Sequence, residues 1–353
     1  MMAILPYYTS LMFFALWAVG ATYGGVTMMF VTILAFVVLP IVDFFVGVKT
    51  ENETELELEK RQKNLIFFDL VFYIYSILHV AMLFVGPYLI LKNNFTFFEL
   101  TVIALSTGVI TGGFGITIAH ELCHRKNKFH QLLADFLLSS VCYTHFSTEH
   151  VQGHHQNVST FDDPASARFG ENFYSFYLRT VLGSFLSAWD IERRKLKSQG
   201  FNPWSLRNKI ILGVLASVLW AIVMTWLFGM TGLFFFLFQS FVAFSLLEIV
   251  NYVEHYGLER KKMENGRYEK VRPIHSWNSS HIVSNWYLFN LERHSDHHAF
   301  ASRPYPLLRH HADAPQLPAG YDSMVLLALV PPLWFKYMDP LVLKFRGLNT
   351  YEN

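Results

Sequence analysis

Apolar residues fall along this chain in blocks too long for the helices of a soluble domain. Residues 6–47, "PYYTSLMFFALWAVGATYGGVTMMFVTILAFVVLPIVDFFVG", carry one charge, Asp43. A bilayer core about 30 Å thick takes roughly 20 apolar residues per helix, so this block supplies two crossings. Gly24-Gly25 marks the turn between them, at about 6–23 and 26–47. Two more runs follow at about 65–91 and 97–119, joined by the short polar loop "KNNFTF". A last pair lies at about 210–229 and 231–253, divided by Gly229 and Gly232. Polar sequence fills 120–209 and 254–353. The pattern predicts an all-α polytopic membrane protein of six transmembrane helices with a polar cap, one membrane-embedded domain over residues 1–353.

Composition agrees with that reading. Charged residues make up 16% of the chain, where a soluble domain carries about a quarter. The first residues hold neither a basic segment nor a small-residue cleavage site, so the first run reads as a retained helix. Two cysteines, Cys123 and Cys142, build neither a disulfide framework nor a cysteine-based metal site.

Charge then fixes an orientation. With six alternating spans, residues 48–64, 120–209 and those after 254 share one side. They hold 27 of the 28 Lys and Arg residues, and only Lys92 falls opposite. The positive-inside rule places that side in the cytoplasm, as in a bacterial inner membrane. Net charge is only +1, so the bases speak to topology and lipid headgroups, not to a nucleic-acid partner.

Of sixteen histidines, His79 stands alone in the third span and the other fifteen crowd the cytoplasmic side of this plan. "HELCH" places His120 and His124 at i, i+4, on one helical face. "EHVQGHH" repeats that spacing in His150 and His154, with His155 beside them. "NYVEHYGL" carries His255 at the end of the sixth span, and "ERHSDHHA" carries His294, His297 and His298. Any one pair is more often packing or surface than a metal site. His79 reads as a satisfied buried ring, and His130, His310 and His311 as solvated ones. His145, His275 and His281 fit either a supporting or a structural role. Nine imidazoles at a membrane boundary are another matter, because unpartnered polar groups there cost several kcal/mol.

Ligand type alone leaves the metal open, since imidazole suits iron, copper, nickel and zinc. "HELCH" matches the zinc-peptidase pattern, with Glu121 as base, but that site needs only three protein ligands. Nine nitrogens suit two ions. Carboxylates and amides close to the rings in sequence, Glu121, Glu149, Glu254, Asp296 and Asn251, are candidates to orient them, with Asp162 and Asp163 less well placed. Each can equally be an ordinary paired acid. Glu248, inside the sixth span, either lines the site or pairs with a neighbour.

Together the boxes "HELCH", "EHVQGHH" and "ERHSDHHA" resemble those of membrane fatty-acid desaturases and hydroxylases. "NYVEHYGL", with "RKKMENGRYEKVRPIHSWNSSHIVSN", is similar to the integral-membrane alkane 1-monooxygenases, and the likeness runs through "RPYPLLRHH" and "LPAGY". That resemblance implies a non-haem enzyme with two iron ions that hydroxylates the terminal methyl of medium- to long-chain n-alkanes with O2. Its ligands carry over as His120, His124, His150, His154, His155, His255, His294, His297 and His298, with no division between the irons. Rubredoxin, reduced by an NADH-dependent reductase, is the implied electron donor; the two cysteines here form no rubredoxin site. The basic segments Arg193-Arg194-Lys195 and Arg260-Lys261-Lys262 offer either a docking surface for an acidic donor or contacts to headgroups. Alignment on "LPIVD" puts Ala35 at the position that tunes chain length in the family. A desaturase, another hydroxylase of the superfamily, a membrane zinc peptidase and a metal carrier stand as competing readings.

Overall fold

The computed structural model describes residues 4–347. Among them there is no β-strand, only isolated bridges such as Val48 with His281. A 3₁₀ turn, Leu5–Leu11, runs into α1, Met12–Tyr23. Then come α2, Gly25–Val46, α3, Leu65–Lys92, α4, Phe97–Cys123, and α5, Lys209–His255; these last four are long and apolar enough to cross a membrane.

Two reversals organise the bundle. Between α1 and α2, Gly24 and Gly25 take φ of 70° and 60°, in the left-handed region that side chains avoid. The chain folds back so tightly that a Cβ on Gly20 would sit 2.8 Å from the Met28 Cα. Within α5 the break falls at Gly229, with φ of 61°. Trp220 and Phe236 stack across it with ring centroids 6.4 Å apart. On a straight helix, 16 residues would separate them by about 24 Å. So α5 is a pair of antiparallel arms.

At the centre stands α4, 89% of whose apolar window is buried, against 22% for α2. Polar side chains inside the bundle tie it to its neighbours, as expected where water offers no partner. Trp17 Nε1 donates to Thr107 Oγ1 at 2.9 Å, Tyr75 OH to the Ile110 carbonyl at 2.9 Å, and Thr111 Oγ1 to Gln239 Oε1 at 2.8 Å. His79, fully buried, lies 2.8 Å from Ser140 Oγ, the satisfied ring that its apolar setting predicts.

The polar segments pack onto one end of this bundle. Asp43, the single charge of the first block, is buried there and accepts from the Val283 backbone at 2.8 Å. Lys49 N donates to the Ser280 carbonyl at 2.8 Å, and Arg61 to the Pro306 carbonyl at 3.1 Å. Helices at 128–139, 146–157, 173–198, 282–287, 294–299, 321–328 and 331–345 belong to these segments. The ends of α4 and α5 that point into it deliver His120 and His255.

Candidate metal centre and apolar cleft

All nine box histidines meet in one place, in two groups. His120, His124, His150, His155 and His297 form the first, and His154, His255, His294 and His298 the second; within each, ligand nitrogens lie within 4.8 Å of one another. In the first group, His155 Nε2 is 3.1 Å from His150 Nε2 and 3.0 Å from His297 Nε2. In the second, His298 Nε2 is 2.8 Å from His294 Nε2 and 3.2 Å from His154 Nε2, while His255 and His294 approach to 3.2 Å.

Local helix geometry decides which ring goes where. On the α-helical end of α4, His120 and His124 share a face as their spacing predicts, ring centroids 5.4 Å apart. Residues 150–154 differ, because they wind as a π-helix. That wider turn puts i and i+5 on one face, so His155, not His154, joins His150. The expected His150–His154 pair is therefore split between the groups. In His294–Ala299 the ordinary α spacing returns, so His294 and His298 stay together while His297 faces the other group.

The chemistry of this donor set fits metal. Burial first, then repulsion from neighbouring rings, holds the imidazoles of His150, His297 and His298 well below the ordinary value. Burial holds His124 at about 4. The rings of His124, His150, His297 and His298 are thus held in the neutral form, the one in which imidazole binds cations. Nε2 of His120 and of His124 have no protein partner although buried. Nitrogens converging without acceptors leave a cation as the natural partner for each group.

Neighbouring acids sit differently from the sequence expectation. Residues adjacent on a helix project about 100° apart, so a carboxylate beside a histidine faces elsewhere. Glu121 is paired with Arg125 at 2.7 Å and accepts from Tyr305 N. Asp296 is taken up by Arg303, the Arg309 backbone and His311. Asn251 donates to Glu248, which Tyr143 and Thr180 also hold. Glu149 is buried in a small polar chamber with His145, beside His150 and His154. Glu254 lies 3.2 Å from the site-facing Nε2 of His294, not from an outer nitrogen. Asp162 is exposed. Asp163 is the acid that holds a ring, its Oδ2 2.8 Å from His154 Nδ1. Its signal in sequence was only its place nine residues after that histidine. His130, His310 and His311 are half-buried and bonded to Tyr73, Ser280 and Asp296, not solvated.

An apolar cleft of about 860 Å³, counted to its open mouth, reaches this centre. Its floor holds His120 and His150 of the first group and His294 of the second, with Glu254 beside them. Phe13, Phe36 and Phe114 line its walls, and so does Ala35 on α2. The site thus joins converging imidazole nitrogens to a greasy passage.

A family model described as fatty acid desaturase matches residues 96–327. Alkane 1-monooxygenase 2 of Pseudomonas aeruginosa is 40% identical over 95% of this chain and 89% of its own length. Alkane 1-monooxygenase 1 of the same organism is 48% identical over 70% of this chain, and that match spans 65% of the relative. Alkane 1-monooxygenase of Acinetobacter baylyi is 39% identical over 87% of this chain and 75% of its length.

Proposed function

This chain belongs to the alkane 1-monooxygenase family, within the fatty acid desaturase family of membrane enzymes, and from that premise we propose how it hydroxylates alkanes. The substrates are medium- to long-chain n-alkanes and O2, the product is the 1-alkanol, and the electrons come from rubredoxin and its NADH-dependent reductase. One observation carries the reading: nine imidazoles converge in two groups, and rings of both groups reach the floor of an apolar cleft.

His120, His124, His150, His155 and His297 would hold one iron, and His154, His255, His294 and His298 the other. Two bound irons supply redox chemistry that amino-acid side chains lack, which an unactivated C–H bond requires. The protein does the rest. Its cleft offers an alkane no hydrogen bond, so binding rests on burial, about 0.8 kcal/mol per CH2. Phe13, Phe36 and Phe114 keep the passage dry, and the floor presents the terminal methyl to both ring groups. Asp163 accepts from His154 Nδ1, which fixes that ring and turns Nε2 inward. Ala35 leaves the wall open to longer chains.

The same reading makes α1, α2, α3, α4 and the two arms of α5 six crossings, with the cap in the cytoplasm of a bacterial inner membrane. The reversals at Gly24-Gly25 and Gly229 and the one-sided placement of 27 of 28 basic residues support it. For a zinc peptidase, Glu121 would have to act as base, yet its carboxylate is tied to Arg125.

Purified protein, reduced through rubredoxin and given n-alkanes and O2, should yield 1-alkanols and carry two irons per chain. Alkenes as product, or one zinc and no iron, would sink the proposal.

A further inference from the structure

Three glycines stand close together in the π-helical turn of α4, Thr111–Ile116, and two of them have a plain structural reason. A Cβ on Gly112 would lie 2.8 Å from both Cα and O of Ala243, so α4 and α5 need its absence to touch. One on Gly115 would meet Tyr75 OH at 3.0 Å and His79 Nδ1 at 3.1 Å. Gly113 has no such reason. Nothing lies within 4 Å of its Cβ position, and it has no left-handed φ. Glycine weakens a helix interior relative to alanine. Neither backbone shape nor packing accounts for its being there.

Its surroundings do. Val109, Gly113, Thr117 and His120 of α4 all line the apolar cleft. The empty space beside Gly113 is therefore cleft space. We propose that Gly113 sets the length of alkane the cleft accepts, by leaving bare a stretch of wall where the substrate's middle must lie. This rests on the alkane-hydroxylating role proposed above. Seven residues separate Gly113 from His120, roughly 10 Å along the helix axis. An extended carbon chain advances roughly 1.2 Å per bond. A side chain at Gly113 thus stands about eight carbons up the cleft from His120. Gly113 and Ala35 wall the passage from different helices, α4 and α2.

The test compares octane and hexadecane turnover in wild type, Gly113→Ala, Gly113→Leu and Gly113→Phe, each supplied with rubredoxin and reductase. Ala, which adds a single methyl, should shift the hexadecane-to-octane ratio least. Leu and Phe should lower the hexadecane-to-octane ratio about tenfold or more. Bound iron at the wild-type level serves as the measure of an intact fold. An active wild type whose ratio is moved by neither Leu nor Phe overturns the assignment. So does parallel loss of both substrates in both variants. A wild type inactive on every alkane overturns the functional reading beneath it, and this assignment with it.

Discussion

The two histidine groups differ in number and in shelter. In the group of four, every ring is buried, and His154 is held from behind by Asp163. In the group of five, His124 and His155 are only half-buried. The enclosed group has the minimum of ligands and a fixed frame; the outer one has a ring to spare and a face toward the cap surface. That difference teaches where the centre is brittle and where it is open to the outside.

Removing one ring from each group gives the sharpest contrast. His298→Ala leaves three ligands in the enclosed group, and bound iron should fall from two per chain toward one, with turnover down about a thousandfold or more. His155→Ala leaves four in the outer group, so both irons should stay and turnover should fall by about 10²-fold. Metal analysis beside product assays checks both; equal iron loss in the two variants would break the comparison.

A smaller effect attends the frame. Asp163→Ala should weaken iron binding about 10- to 100-fold at the enclosed group and leave the outer group loaded, as seen by titrating iron into metal-free protein. Smaller again, Ala35→Trp narrows the passage without touching either group. The longest accepted alkane should shorten while iron content holds, and an unchanged product range would remove Ala35 from the wall.

Acid supplies a milder perturbation. Burial lowers the His124 and His145 rings from 6.5 to about 4, so the unfolded chain binds protons that the folded one refuses. Metal-free protein should lose stability as pH falls from about 6.5 through 4, and regain it on raising the pH. Thermal unfolding across that window measures it, and a flat profile would mean that the rings are not held neutral. The least effect is expected from Lys261→Glu with Lys262→Glu, which should raise the rubredoxin KM a few-fold through weaker steering. Arg260 is best spared, because its guanidinium donates to the Gln156 carbonyl next to His155.

Much of this was legible in the chain. Long apolar runs announced the bundle because a bilayer leaves few alternatives, and the glycines at 24, 25 and 229 marked the reversals. Eight of the nine rings stood out by their spacing, and His255 by its place at the end of the sixth span. Their division did not, since a single π-helical turn exchanges His154 for His155 and local spacing carries no trace of it. Adjacency misled for Glu121 and Asp296, whose helical neighbours face another way and whose charges are spoken for by Arg125 and Arg303. Asp163 was obscured for the opposite reason, since only the folded loop brings it to His154. The cleft was foreshadowed at Ala35 alone, because its other walls come from helices far apart in sequence.

Central to the account is one arrangement: two metals, each in its own ring group, side by side under the cleft. An anomalous-scattering map of iron-loaded protein tests it directly. Two peaks are expected, one among His120, His124, His150, His155 and His297 and the other among His154, His255, His294 and His298. A lone peak, or one drawing ligands from both groups, would contradict it.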